Sequence, residues 1–110
     1  MNVELLWWEG CPSTERALEA VREALSDLGL ADVEVYTREI ETDDDAREVE
    51  FVGSPTILID GQDLVPAAAE EQIGLSCRVY RRRDGRVSPI PDPDDLREAL
   101  VRAAQRAEVN

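Results

Sequence analysis

The two cysteines are the side chains of this 110-residue sequence with the greatest capacity for covalent chemistry. Cys11 lies in the run Gly10-Cys11-Pro12-Ser13-Thr14, and Cys77 follows much later in the chain. The sequence contains no histidine, and all 12 of its basic residues are arginine. This composition excludes Ser-His-Asp and Cys-His catalysis, histidine metal ligands and lysine Schiff bases. Chemistry is therefore left to thiols, carboxylates, hydroxyls, guanidinium groups and the backbone.

Cys11 is predicted to lie where a buried strand meets a helix. Residues 2–8 are mostly apolar on both faces, which is typical of a central strand. Apolar residues then recur every three or four positions, which predicts a helix over residues 12–28 with Cys11 as its cap. The helix dipole and the free N–H groups at this end lower the pKa of a thiol. The carboxylates of Glu9 and Glu15 are expected to oppose that effect.

The remaining pattern predicts one mixed α/β domain over residues 1–110. Strands are predicted over 33–40, 57–59 and 77–82, and helices over 43–50, 66–74 and from 93 onward. Asp60-Gly61 and Asp84-Gly85 are typical turn pairs. A strand–helix–strand unit followed by antiparallel strands indicates a mixed central sheet with helices on both faces.

Charge limits the partners of the chain. The sequence holds 25 acidic residues and a formal net charge of −13, which disfavours nucleic acid and anionic membranes. One short stretch is locally basic, because five arginines lie within residues 78–86, namely Arg78, Arg81, Arg82, Arg83 and Arg86. They could form an anion site, but a solvated strand and turn is favoured. Asp43, Asp44 and Asp45 could likewise bind a divalent cation, but helix capping is favoured.

The sequence favours a cytoplasmic protein without a membrane segment. It opens on Met-Asn-Val-Glu, with no basic stretch and no long apolar run. Two cysteines are too few for a secreted disulfide scaffold. No pattern indicates a bound metal or cofactor.

Two segments resemble the thioredoxin-like superfamily. They are the Gly10-Cys11-Pro12-Ser13-Thr14 turn and the later run Gly53-Ser54-Pro55-Thr56, which is similar to the cis-proline segment of that superfamily. The resemblance implies a thioredoxin-like α/β fold with Pro55 in the cis isomer. It also implies that Cys11 is a nucleophile and that Ser54 offers backbone groups to an extended disulfide substrate. The remaining residues expected to contact the substrate are Trp8, Pro12 and Thr14.

The sequence departs from the dithiol members of this superfamily at Thr14. Those members carry Cys-x-x-Cys, and Thr14 occupies the second cysteine position, as in a one-cysteine glutaredoxin. Cys11 can form a mixed disulfide but needs Cys77 or a small external thiol to resolve it. Pairing with Cys77 requires Cα atoms within about 7 Å. The alternative for Cys77 is a small buried apolar residue in a strand.

Three functions remain open at this point. The first is a thiol-disulfide oxidoreductase that acts on a protein or a low-molecular-weight thiol, and it requires an accessible Cys11 sulfur. The second is mercury or soft-metal chemistry, because short bacterial proteins with this turn and a Cys-Arg-x-Tyr run resemble alkylmercury lyases; Asp60 or Asp63 would then protonate the leaving carbon. The third is a non-catalytic binding module, which the absence of a cysteine at Thr14 favours.

Overall fold

A computed structural model describes residues 1–65 and 72–109 of the chain. Its elements are β1 (Val3–Trp7), α1 (Thr14–Asp27), β2 (Val35–Glu39), α2 (Asp43–Glu48), β3 (Thr56–Ile59), β4 (Gln62–Asp63), β5 (Tyr80–Arg81), β6 (Val87–Ser88) and α3 (Pro93–Val109). The helix predicted over residues 66–74 lies mostly outside the described residues, and its described end, residues 72–74, is not helical.

The main sheet has four strands in the order β2-β1-β3-β4. Strand β1 runs parallel to β2 and antiparallel to β3, so that Val3 is paired with Val35 on one side and Ile59 on the other. Its apolar sequence suits this central position, because both faces of the strand are covered. The mixed sheet predicted from the order of elements is confirmed.

Helices cover both faces of this sheet. Leu5 points into the larger core, formed with α1 and α3, whereas Leu6 points into a smaller core with Phe51 and Ala46 of the α2 region. Successive residues of a strand face opposite sides, so the two neighbouring leucines fill the two cores. The predicted α/β class, with helices on both faces, is confirmed.

One edge of the sheet is formed by the β3–β4 hairpin, whose turn is the predicted Asp60-Gly61 pair. Asp60 and Gly61 have φ values of 53° and 82°, which is the backbone of a tight hairpin turn. The turn places β4 beside β3, and β4 is the last strand at this edge of the sheet.

The long strand predicted over residues 77–82 is wrong. Only Tyr80–Arg81 is a strand, and it pairs with Val87–Ser88 in a separate hairpin.

Thr42 and Asp92 cap the two later helices. The Thr42 hydroxyl accepts the Asp45 N–H at 3.0 Å at the start of α2. Asp92 accepts the Asp94 N–H at 2.9 Å at the start of α3. Capping is the favoured prediction for these segments, and the structure confirms it. Over the described residues, no helix is both long and apolar enough to cross a membrane.

Candidate two-thiol site

The turn between β1 and α1 holds Cys11. The Cys11 N–H donates to the Trp8 carbonyl at 3.0 Å, which closes the turn directly after the strand. Helix α1 begins at Thr14 with Ser13 at the N-cap, so the predicted start at residue 12 is wrong by two residues. Cys11 therefore precedes the helix instead of capping it, and the Ser13 N–H is directed to the Cys11 sulfur.

The cis-proline segment lies directly against this turn. The Ser54–Pro55 peptide bond is cis, as the resemblance implied. The Cys11 sulfur lies 3.3 Å from the Ser54 carbonyl oxygen. The Ser54 hydroxyl oxygen accepts the Trp8 N–H at 3.1 Å, and Ser54 is fully buried. Ser54 therefore joins the two segments through both its side chain and its backbone.

Cys77 is seated on the other side of Ser54. The Ser54 N–H donates to the Ser76 carbonyl, and the Arg78 N–H donates to the Ser54 carbonyl, both at 2.8 Å. This parallel bridge places Cys77 near Cys11, and the two cysteines border the same groove. Both cysteines are free thiols, and Cys77 is exposed. The open question of whether Cys77 reaches Cys11 is answered, and the buried apolar alternative for Cys77 is wrong.

Arg78 anchors the segment that carries Cys77. Its side chain is only 4% exposed and forms an ion pair with Asp63 at 2.7 Å. The same guanidinium donates to the Val65 carbonyl at 2.5 Å and to the Thr56 hydroxyl at 3.3 Å. The interpretation of the arginine run as solvated is therefore wrong for Arg78. A buried guanidinium needs several partners, and here they are drawn from β3, β4 and the residues after β4.

Tyr80 completes this anchor on the far side of the arginine. The Arg78 guanidinium carbon lies 4.8 Å from the centre of the Tyr80 ring. The Tyr80 hydroxyl donates to the Pro55 carbonyl at 2.5 Å. The segment is thus attached to the proline loop through Ser54 and again through Pro55. The sequence signal for it is the alternation Cys77-Arg78-Val79-Tyr80, in which Arg78 and Tyr80 are buried and the other two residues are exposed.

Glycine is required at position 53, where the proline loop passes against the segment that carries Cys77 and Arg78. Its φ is 147°, and a Cβ atom there would lie 2.8 to 2.9 Å from Arg78 atoms, including the backbone N and Cα. We expect Gly53→Ala to cost on the order of 2 kcal/mol of unfolding free energy and to displace Cys77 from Cys11. Gly61→Ala is the control, because Gly61 also has a positive φ of 82° but nothing within 4 Å.

Thermal unfolding and the alkylation rates of both thiols check this prediction. Both alanine variants should lose stability, but only Gly53→Ala should change the relative reactivity of Cys11 and Cys77. Unchanged thiol reactivity in Gly53→Ala would show that the crossing does not hold the pair.

The two thiols have pKa values shifted in opposite directions. Burial raises the pKa of Cys11, but hydrogen bonds from the Ser13 N–H, the Cys77 thiol and the Ser54 and Ser13 hydroxyls outweigh it, and the net shift is downward. The pKa of Cys77 is raised, chiefly by its hydrogen bond to Cys11 and then by burial and the nearby charge. The Ser54 carbonyl favours the protonated Cys11, but one acceptor is outnumbered by the donors. The expected opposition from Glu9 and Glu15 is not among the causes of the Cys11 pKa shift.

The hydrogen bond between the thiols makes a prediction about titration. We expect Cys77→Ala to raise the pKa of Cys11 relative to Cys77→Ser, because serine keeps a donor for the thiolate and alanine does not. Thiolate absorbance against pH measures this difference. Both variants replace Cys77 with a smaller side chain, so the exposure of Cys11 should be similar in the two. Equal pKa values of Cys11 in both variants would mean that Cys77 does not stabilise the Cys11 anion.

Cys11 is reached through grooves. The expectation of an openly accessible Cys11 sulfur is wrong, because the residue is buried and only 6% exposed. One groove, of about 330 Å³, is bordered by both cysteines and by Pro12, Val79, Val87 and Pro89. A second, of about 460 Å³, lies on the other side of the turn, beside Trp7 and Thr14.

The two tryptophans pack against different cores of the sheet. Trp7 packs against the larger core and also borders the second groove together with Cys11. Trp8 packs against the smaller core, and its ring lies over Gly10, where a Cβ atom would come within 2.3 Å of it. Trp8, which is expected to contact the substrate, contributes its backbone to the site and borders neither groove at Cys11.

Thr14 and Pro12 lie at the groove mouths. Pro12 is exposed and borders both grooves. The Thr14 hydroxyl oxygen is buried and, of the described residues, is the one whose side-chain polar atom lacks a hydrogen-bond partner. Thr14 thus stands near Cys11 without acting on the sulfur through any contact that the structure records.

The two acids considered as proton donors are occupied elsewhere. Asp60 follows β3, at the end of the sheet opposite Cys11, and accepts the Asn2 N–H at 2.7 Å. Asp63 is the ion-pair partner of Arg78. Neither carboxylate is a free acid at the thiols.

Fold and site together define an α/β protein with two adjoining free thiols beside a cis-proline loop. The chain belongs to the family described as a domain of unknown function, DUF2703, whose model matches residues 8–93. That range contains Cys11, Ser54, Pro55, Cys77 and Arg78. No curated protein and no solved structure matches the chain.

Proposed function

We propose that the protein is a thioredoxin-like thiol-disulfide oxidoreductase in which Cys11 attacks the substrate and Cys77 resolves the intermediate. The observation that carries this proposal is the placement of Cys77 and the Cys11 sulfur against the same residue, Ser54, at the border of one groove. The pKa of Cys11 is lowered and that of Cys77 is raised. A thiolate is the nucleophile in disulfide exchange, so the shifts assign the first attack to Cys11.

The first step forms a mixed disulfide. The Cys11 thiolate attacks one sulfur of the substrate disulfide, the substrate S–S bond breaks, and the leaving thiolate takes a proton from water. The pKa of Cys77 is raised mainly by its hydrogen bond to Cys11. That cause disappears when Cys11 is in a mixed disulfide, so the first step lowers the pKa of Cys77 and prepares it to react.

The second step closes the pair. The Cys77 thiolate attacks the Cys11 sulfur, forms the Cys11–Cys77 disulfide and releases the second substrate thiolate. The substrate gains two electrons, the cysteine pair loses two, and an external dithiol restores the reduced protein. Cys77 thereby takes the part that a cysteine at Thr14 would play in a Cys-x-x-Cys protein.

Peptide mapping after oxidation tests this proposal. One equivalent of a small disulfide should convert the chain into a monomer with a single Cys11–Cys77 bond, identified by mass spectrometry of proteolytic fragments. Cys77→Ser is the control, and it should instead retain a small-molecule adduct on Cys11. Intermolecular dimers, or separate adducts on both cysteines of the unmodified chain, would contradict the proposal.

Soft-metal binding is the second candidate. Two neighbouring thiols can hold a two-coordinate ion such as Hg²⁺, and the described residues include no cluster of three or more ligands that would favour a higher coordination number. The lyase form of this candidate loses its proton donors, because Asp60 and Asp63 are engaged elsewhere. The lowered pKa of Cys11 weighs against a binding module without chemistry.

A further inference from the structure

The backbone N–H and carbonyl of Ser54, the residue beside the Cys11 sulfur, are already hydrogen-bonded within the protein. Ser54 is the residue whose carbonyl oxygen lies 3.3 Å from that sulfur. Its N–H is bonded to Ser76 and its carbonyl to Arg78, each at 2.8 Å. An extended peptide that added a strand at Ser54 would need these same two groups. The segment Ser76–Arg78 thus occupies the position of a substrate strand.

The segment Ser76–Arg78 is held in place by several contacts. Beyond the bonds to Ser54, the Arg78 guanidinium is buried against Asp63, and the Gly74 N–H donates to the Phe51 carbonyl at 3.0 Å. A peptide that displaced it would leave a buried guanidinium and a carboxylate without each other. The strand is therefore part of the folded site rather than a loosely attached cover.

Two grooves border Cys11, and the one that also borders Cys77 is mostly apolar. The groove of about 330 Å³ that both cysteines border has Pro12, Val79, Val87 and Pro89 at its walls. Val79 and Val87, at 64% and 66% exposed, are the most exposed of the large apolar side chains in the described residues. A volume of this size suits a small molecule. Arg78 also borders this groove, but its guanidinium is directed inward to Asp63.

We infer that the substrate of Cys11 is a compact small-molecule disulfide and not an extended polypeptide, because the segment Ser76–Arg78 takes the place that a peptide would need. This inference rests on the proposed oxidoreductase function and names its substrate class. The exchange is the one given above: the small disulfide is cleaved at Cys11, and its two halves leave as thiols.

A trapping experiment with Cys77→Ser tests the inference. The variant is mixed separately with bis(2-hydroxyethyl) disulfide and with a linear peptide whose single cysteine is linked to 2-mercaptoethanol. Mass spectrometry follows adduct formation on Cys11. Each rate is divided by the rate at which N-acetylcysteine amide reacts with the same probe, which removes the difference in intrinsic reactivity.

We expect the peptide to react about 100-fold more slowly than the small disulfide after this correction, since two backbone hydrogen bonds at Ser54 must break first. The Arg78 amide should also stay protected from hydrogen exchange in the presence of the peptide. Comparable corrected rates, or loss of that protection, would overturn the substrate class and leave the oxidoreductase proposal standing. No adduct from either probe would overturn the oxidoreductase proposal and this inference with it.

Discussion

Cys11→Ser abolishes reduction of bis(2-hydroxyethyl) disulfide, with a fall in kcat/KM of roughly a thousandfold or more. A serine hydroxyl does not ionise near neutral pH, and neither histidine nor lysine is available in this sequence to activate it. Reduction by the unmodified protein should increase as pH rises through the lowered pKa of Cys11, since only the thiolate attacks. A coupled assay with an external dithiol reductant measures both effects.

Cys77→Ser is the matched control for this prediction. Cys77 lies beside Cys11 but is exposed, and serine preserves its size and its hydrogen-bond donor. The variant should form the mixed disulfide on Cys11 at a rate close to that of the unmodified protein and should retain it until the external dithiol cleaves it. Retained turnover in Cys11→Ser, or loss of the first step in Cys77→Ser, would contradict the assigned roles.

Arg78→Met produces the largest expected loss of stability. Methionine fills much of the space, but the Asp63 carboxylate loses its partner and the Val65 carbonyl loses a donor. Breaking a buried ion pair in this way costs on the order of 3 kcal/mol, taken at the lower end of the range because the Asp63 side chain is 23% exposed. For a domain of this size the melting temperature should fall by about 10 °C.

Arg81→Met is the control for the effect of lost charge. Arg81 is exposed, and its guanidinium makes one long contact with the Gly85 carbonyl at 3.5 Å. Thermal unfolding should show little change in this variant, and both of its thiols should keep their reactivity. In Arg78→Met the disulfide between Cys11 and Cys77 should also form more slowly. Equal melting temperatures for the two variants would show that the buried ion pair does not anchor the segment.

Much of the fold could be predicted because local patterns agree with it. The apolar strand of residues 3–7 lies at the centre of the sheet, and the caps at Thr42 and Asp92 begin the helices that follow them. The Asp60-Gly61 pair forms its turn as expected. Each of these features depends on neighbours in sequence, so one short window contains the necessary information.

The pairing of the thiols could not be predicted in the same way. It depends on the bridge between Ser54 and Cys77, two residues far apart in the sequence. The burial of Arg78 could not be predicted for a related reason: in the sequence it is one of five arginines in a short run, and its partners Asp63 and Val65 lie more than ten residues earlier in the chain. Long-range partners of a single side chain leave no periodic signal.

A redox titration tests the central claim most directly. The protein is equilibrated in buffers of reduced and oxidised dithiothreitol, the free thiols are alkylated, and intact masses are recorded. If Cys11 and Cys77 form one redox pair, both thiols disappear together in a single two-electron transition, and each chain carries either two alkyl groups or none. A substantial population of chains with one alkyl group, across the transition, would show that the two cysteines react independently.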